Sequence, residues 1–116
     1  MKSATFVYTE LSTHAARKAR EFYGELFGWQ YQDVPGPHQY ALVQSGGQVI
    51  GGIAGGQNNN QWLPYVGVAD IKAATAKAKE LGATAEVECR KFGDMGTASV
   101  LVDPTGARFA LWQAGG

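Results

Sequence analysis

The chain has 116 residues, enough for one domain that buries an apolar core without disulfide or metal staples. Ten basic and ten acidic side chains cancel, so there is no long-range attraction for nucleic acid or for an anionic membrane. No apolar run is long enough for a signal peptide or a membrane span. Cys89 is the only cysteine, so no disulfide forms within the chain, and we expect a cytoplasmic location.

The first half of the chain predicts one strand, one helix and three further strands. Residues 5–11 are β-branched and aromatic, which is typical of a strand. Ser12 and Thr13 are candidate N-cap residues for a helix over 15–27, and Gly28 is the expected left-handed C-cap. Turn-forming glycines and prolines then separate three predicted strands, at 29–34, 39–44 and 48–53.

The same order of elements follows a second time. A polar, glycine-rich stretch at 55–61 predicts a linker. After it come a strand, a helix that Asp70 caps and Gly82 ends, and three more strands; their predicted bounds are 62–68, 71–81, 84–89, 97–102 and 108–113. The helix ends are also alike, since ELFG at 25–28 matches ELG at 80–82. This self-similarity predicts an α+β fold of two βαβββ modules, at about 4–54 and 62–114, within a single domain over 1–116.

Three phrases of the sequence carry a resemblance to a known superfamily. They are EFYGELFGW at 21–29, WLPYVGVADI at 62–71 and DPTGARFALW at 103–112. With the repeat, they resemble the vicinal-oxygen-chelate superfamily of glyoxalases, bleomycin-resistance proteins and dioxygenases, over nearly the whole chain. The resemblance implies mixed sheets that curl around a cavity, with helices outside. It also implies a homodimer.

The metal ligands of that superfamily have no counterpart at the positions that match. In metal-dependent members, His, Gln or Glu side chains on the first, fourth, fifth and eighth strands face the cavity. The matching positions here fall at or near Tyr8, around Gly51 or Gly52, near Leu63 and on Ala110. The only histidines, His14 and His38, fall in a cap and a turn. We therefore expect no metal and no other cofactor.

The candidate site residues come from strand alternation and from the aromatic content. Period-two alternation puts Tyr8 and Glu10 on one face of the first strand, where Glu10 is the candidate general base or acid. Equally open is that Glu10 pairs with an arginine such as Arg108 or lies at a wet strand end. Arg108 is either an anion-binding residue or a surface charge at a strand start. The full set of expected ligand-binding residues is Tyr8, Glu10, Tyr40, Trp62, Met95, Arg108 and Trp112.

Four functions fit these features. The first is a metal-free domain that binds a small molecule in an aromatic-lined cavity. The second is a metal-independent isomerase or lyase that uses Glu10, and the third is a metal-dependent glyoxalase or dioxygenase with displaced ligands. The fourth is a structural dimer whose cavity is filled by its own side chains. The sequence ranks them in this order and names no ligand.

Overall fold

A computed structural model describes residues 3–37 and 39–115, and it contains the βαβββ order twice. The first series is β1 (Phe6–Ser12), α1 (Ala16–Phe27), β2 (Gln30–Asp33), β3 (Tyr40–Ser45) and β4 (Gln48–Ala54). The second is β5 (Gln61–Gly67), α2 (Ile71–Glu80), β6 (Thr84–Phe92), β7 (Gly96–Val102) and β8 (Arg108–Ala114). The predicted α+β class and repeated order are confirmed. The chain divides into two compact units: Tyr8–Leu63, and the residues up to Val7 together with those from Pro64 onward.

In the first unit, β1 lies parallel to β4, and β3 lies antiparallel to both β4 and β2. Leu11, Val43 and Ile53 form the buried core of this unit. Half-buried side chains from α1, from β2 and from the turn between them pack against that core; they are Ala16, Ala19, Tyr23, Trp29 and Tyr31. Alternation along the strands fixes the two faces, because residues next to a core residue point away from the helix.

The second unit repeats this arrangement with a different core. β5 lies parallel to β8, while β7 lies antiparallel to β8 and β6. Ile71, Leu101 and Leu111 are the buried residues between the strands and α2. The Asp70 carboxylate accepts a hydrogen bond from the Ala73 N–H at 3.1 Å, so the predicted cap of α2 is confirmed.

The start of α1 differs from the expectation. Ser12 belongs to β1, and α1 begins after Ala15, which has no capping side chain. Thr13 is buried, and its hydroxyl accepts from the Ala15 N–H at 3.1 Å and donates to Asn60 at 2.7 Å. Its hydroxyl is therefore used to hold the stretch predicted as a linker, instead of capping the helix. At the other end, Gly28 adopts the expected left-handed conformation, with φ 71°.

Strand β6 extends three residues beyond the predicted end at Cys89. The register shifts between Val87 and Arg90, and Cys89 has a φ of 48°. The displaced Cys89 N–H donates to the Ser99 hydroxyl at 2.9 Å, which satisfies it inside the bulge. None of the helices in the described ranges is long and apolar enough to cross a membrane.

Candidate functional site

Three of the expected ligand-binding residues meet on one face of the first unit. Leu11 packs under α1, so Tyr8 and Glu10, at the alternate positions of β1, point to the opposite face. Tyr40 reaches the same face from β3, where the neighbouring core-facing positions are Ala41 and Val43. All three side chains are half-buried.

Hydrogen bonds join these three side chains into a short chain. The Tyr40 hydroxyl donates to Glu10 Oε1 at 2.9 Å, and the hydroxyls of Tyr8 and Tyr40 also share a hydrogen bond. Because the Tyr40 proton is committed to Glu10, Tyr8 is the donor in the bond between the hydroxyls. Both protons therefore point along this series of hydrogen bonds toward the Glu10 carboxylate.

A glycine makes room for the two hydroxyls. Gly52 lies opposite Glu10 in the β1–β4 register. A Cβ atom at this position would lie 2.1 Å from the Tyr40 hydroxyl oxygen and 2.3 Å from that of Tyr8. The sequence matched a metal-ligand position of the superfamily to Gly51 or Gly52, but it gave no sign that Gly52 makes room for these hydroxyls. Gly51 meets the backbone instead, since its Cβ would lie 2.2 Å from the Thr9 carbonyl oxygen.

Both phenols keep their protons at neutral pH. Burial raises the pKa of the Tyr8 hydroxyl, the bond to Tyr40 lowers it and the Glu10 charge raises it, and together they bring it to about 12. Burial and the Glu10 charge also raise the pKa of Tyr40 far above its ordinary value. The site thus presents two neutral hydroxyls next to one acid.

This donor set does not fit the divalent ion that metal-dependent members of the superfamily hold. A protonated phenol is a poor ligand for such an ion, and Gly52 and Ala110 have no donor side chain. In 3–37 and 39–115, no three His, Cys, Asp or Glu side chains are grouped closely enough to hold a metal. His14 is exposed, and His38 lies outside the described residues. That the protein works without a metal stays a prediction.

Trp62 lies among other aromatic side chains on the helix side of the first unit. Its ring is 5.4 Å from the Tyr23 ring and 6.4 Å from the Trp29 ring, both of which pack against the core. The structure therefore does not place Trp62 with the hydrogen-bonded tyrosines.

The remaining three expected residues belong to the second unit. Arg108 donates to Glu86 at 3.0 Å in an exposed ion pair. Met95 is exposed in the turn between β6 and β7. Trp112 is half-buried between the rings of Tyr65 and Phe92, at 6.5 Å and 6.3 Å. A ligand-binding role for each of these three stays a prediction.

Two curated relatives cover most of this chain. The protein named "Putative glyoxylase CFP32" of Mycobacterium tuberculosis is 33% identical, over 92% of this chain and 44% of its own length. The anthracycline biosynthesis protein DnrV of Streptomyces peucetius is 26% identical, over 91% of this chain and 46% of its own. The chain thus spans less than half the length of either relative.

Fold similarity and a family model agree with these matches. The structure of methylmalonyl-CoA epimerase from Streptomyces coelicolor is similar, with a TM-score of 0.71 at 17% identity, over 97% of this chain and 99% of that one. At this identity the likeness shows the fold alone. The model of the Glyoxalase-like domain family matches residues 8–112. This chain therefore belongs to the Glyoxalase-like domain family and has the vicinal-oxygen-chelate fold that its sequence predicted.

Proposed function

We propose that this protein binds a small molecule through the hydrogen-bonded chain of Tyr8, Tyr40 and Glu10, without a metal. The observation that carries the proposal is the convergence of two neutral hydroxyls and one acid over Gly52. A pocket with apolar walls and a few placed polar groups is the usual form of a small-molecule site. The tyrosine rings supply flat apolar surface, and their hydroxyls with Glu10 supply the polar groups.

The chemistry of the three side chains points to a planar, hydroxylated ligand. A carboxylate accepts hydrogen bonds from ligand O–H or N–H groups, while a neutral phenol can donate or accept. Aromatic rings favour flat partners, with which they stack edge-on or offset. The name of the DnrV relative, an anthracycline biosynthesis protein, is consistent with a ligand of this type.

A metal-independent isomerase or lyase is a second candidate. The bond from Tyr40 to Glu10 favours it, because the protons of both phenols point toward one carboxylate that can accept a proton. In this reaction Glu10 takes a proton from a bound substrate and returns it at another position, while the two hydroxyls hold the carboxylate in place through their hydrogen bonds.

Calorimetry and thermal unfolding test the binding proposal directly. The probes are an anthracycline, a glutathione thioether and a glycopeptide drug, each with and without a divalent metal. A probe at 100 times its Kd adds about 2.7 kcal/mol to the stability of the folded state and so raises Tm. We expect the anthracycline to raise Tm without metal and Tyr40→Phe to weaken its binding.

Tyr31→Phe is the matched control for that variant. It also removes a half-buried phenol hydroxyl, one that donates to the Arg20 carbonyl at 2.9 Å on the helix side of the same unit. Its binding should equal that of the wild type. If Tyr40→Phe binds as the wild type does, or if binding needs the metal, the proposal is wrong. If Glu10→Gln abolishes turnover of a bound probe but leaves its affinity intact, the protein is the metal-independent isomerase or lyase.

A cytoplasmic location completes the proposal. It rests on the single Cys89 and is tested by fractionating the cells that produce the protein.

A further inference from the structure

A cleft of about 480 Å³ lies on the helix side of the first unit, between the first half of α1 and the strands β2 and β3. Its floor is apolar, because the buried residues Ala41 and Ile53 face α1 there. The half-buried side chains of Ala16 and Val34 flank this floor. Tyr40 also borders the cleft, but its hydroxyl turns to the other face of the sheet, so the cleft is separate from the hydrogen-bonded tyrosines.

One wall of the cleft is held in place by an ion pair. Arg20 Nη1 donates to Asp33 Oδ1 at 2.7 Å, and the Arg20 guanidinium lies over the Tyr31 ring at 5.0 Å. The Tyr31 hydroxyl donates to the Arg20 carbonyl at 2.9 Å, which ties α1 to β2 on this side. The charges of Arg20 and Asp33 compensate each other, so this wall contributes shape and no net charge.

Two further charged residues line the cleft, and neither forms an ion pair with another described residue. They are Arg17 and Glu21, both exposed and one turn apart on α1. A base that precedes an acid by four residues is the less favourable order for a pair on a helix. Arg17 also lies in the first turn, where the macrodipole disfavours a base. Neither placement stabilises the isolated helix, so the two charges need another explanation.

We propose that this cleft binds a free α-amino acid with an apolar side chain. The ligand carboxylate pairs with Arg17, its ammonium group pairs with Glu21, and its side chain covers Ala41 and Ile53. Both charged groups of an α-amino acid are attached to one carbon, and Arg17 and Glu21 start only about 6 Å apart along the helix, so their long side chains reach both groups. A ligand with one charge would satisfy only one of the two side chains. This site is independent of the proposed function.

Calorimetry of the full chain with L-leucine tests the ligand class. We expect leucine to bind, and three analogues to bind about tenfold more weakly or worse, because a hydrogen bond to a charged group contributes about 1.5 to 3 kcal/mol. Isocaproate lacks the ammonium group of leucine, isoamylamine lacks its carboxylate, and glycine lacks its apolar side chain.

Substitutions on α1 test the location. Arg17→Gln and Glu21→Gln should each raise the Kd of leucine about tenfold or more. Lys18→Gln and Glu25→Gln are the matched controls, since these two exposed residues belong to the same helix but do not line the cleft, and their Kd should stay that of the wild type. Unfolding does not mimic the expected result, because glutamine favours a helix and all four side chains are exposed.

A wild-type protein that does not bind leucine overturns the proposal. So does leucine binding that either Arg17→Gln or Glu21→Gln leaves intact, or any of the three analogues binding as tightly as leucine. Leucine binding that Glu10→Gln weakens would place the amino acid at the hydrogen-bonded tyrosines and would also overturn it. Loss of anthracycline binding in Tyr40→Phe with leucine binding intact is the expected sign that the two sites are distinct.

Discussion

The two units place different side chains at the same point of the same strand pairing. Where β1 and β4 run in parallel, Glu10 lies opposite Gly52; where β5 and β8 run in parallel, Tyr65 lies opposite Ala110. Tyr65 is buried and Ala110 is fully buried, and the Tyr65 ring packs edge-on against Trp112. The first unit has at this point an acid beside a glycine, and the second has a buried aromatic ring beside a buried alanine.

A glycine is part of this difference. With glycine at position 52, two phenol hydroxyls come together where a Cβ atom would lie, whereas position 110 has an alanine that is fully buried. A duplicated fold can therefore keep one half for stability and adapt the other for binding, by small changes at equivalent strand positions. The proposed ligand site accordingly lies in the first unit, and its residues are Tyr8, Tyr40 and Glu10.

The largest effect should come from giving the first unit the alanine of the second. In Gly52→Ala, the new methyl group displaces the hydroxyls of Tyr8 and Tyr40, so we expect a loss of about 1 to 3 kcal/mol in the free energy of unfolding and the loss of anthracycline binding. Urea denaturation and calorimetry measure the two effects.

The reciprocal change is the control for this variant. Ala110→Gly leaves a methyl-sized space in the second unit and adds backbone freedom, which together cost about 1 to 2 kcal/mol. It should leave anthracycline binding unchanged. If Gly52→Ala binds the anthracycline normally, the hydroxyls do not form the site.

Alkaline pH should reveal the buried hydroxyls of the first unit. The pKa of Tyr8 is about 12 in the folded protein and 10.0 when unperturbed, so the unfolded chain loses this proton first. Stability from this group is complete below pH 10 and is lost as the pH rises toward 12. We expect the urea midpoint to fall over this range, by less free energy than Gly52→Ala removes, because Tyr8 is only partly buried.

Tyr8→Phe provides the comparison. The alkaline decrease should be smaller in this variant, and ultraviolet titration should show one fewer late-ionising phenol. An unchanged decrease would mean that Tyr8 ionises normally and that its hydroxyl is not held by Tyr40 and Glu10.

Alternation along single strands made part of the site predictable. The period of two assigned Tyr8 and Glu10 to one face of the first strand, and the structure has them there. Their bond to Tyr40 was not predictable, because Tyr40 is 30 residues from Glu10 along the chain and only strand register brings them together. The structure also pairs Arg108 with Glu86, a contact across 22 residues that strand order along the chain does not reveal.

The fold was predictable wherever local signals agreed with packing. Gly28 and Asp70 ended and began their helices as expected, since caps depend on neighbouring backbone groups. Thr13 was wrongly expected to cap α1, because the helix begins only after Ala15; the Thr13 hydroxyl instead bonds to Asn60, a contact across 47 residues that the sequence does not reveal. The bulge at Cys89 likewise depends on Ser99 in the neighbouring strand, so the sequence ended β6 too early.

The smallest effect should come from exchanging the N-cap residues of the two helices, Asp70 before α2 and Ala15 before α1. Asp70→Ala removes the cap of α2 and should cost about 1 kcal/mol, whereas Ala15→Asp gives α1 an acid beside the free N–H groups of its first turn and should gain a few tenths of a kcal/mol. The gain should be the smaller change because Thr13 already accepts from the Ala15 N–H. Urea midpoints of the two variants measure both changes. A loss of stability in Ala15→Asp would show that the start of α1 is fixed by Thr13 and Asn60 and is not simply uncapped.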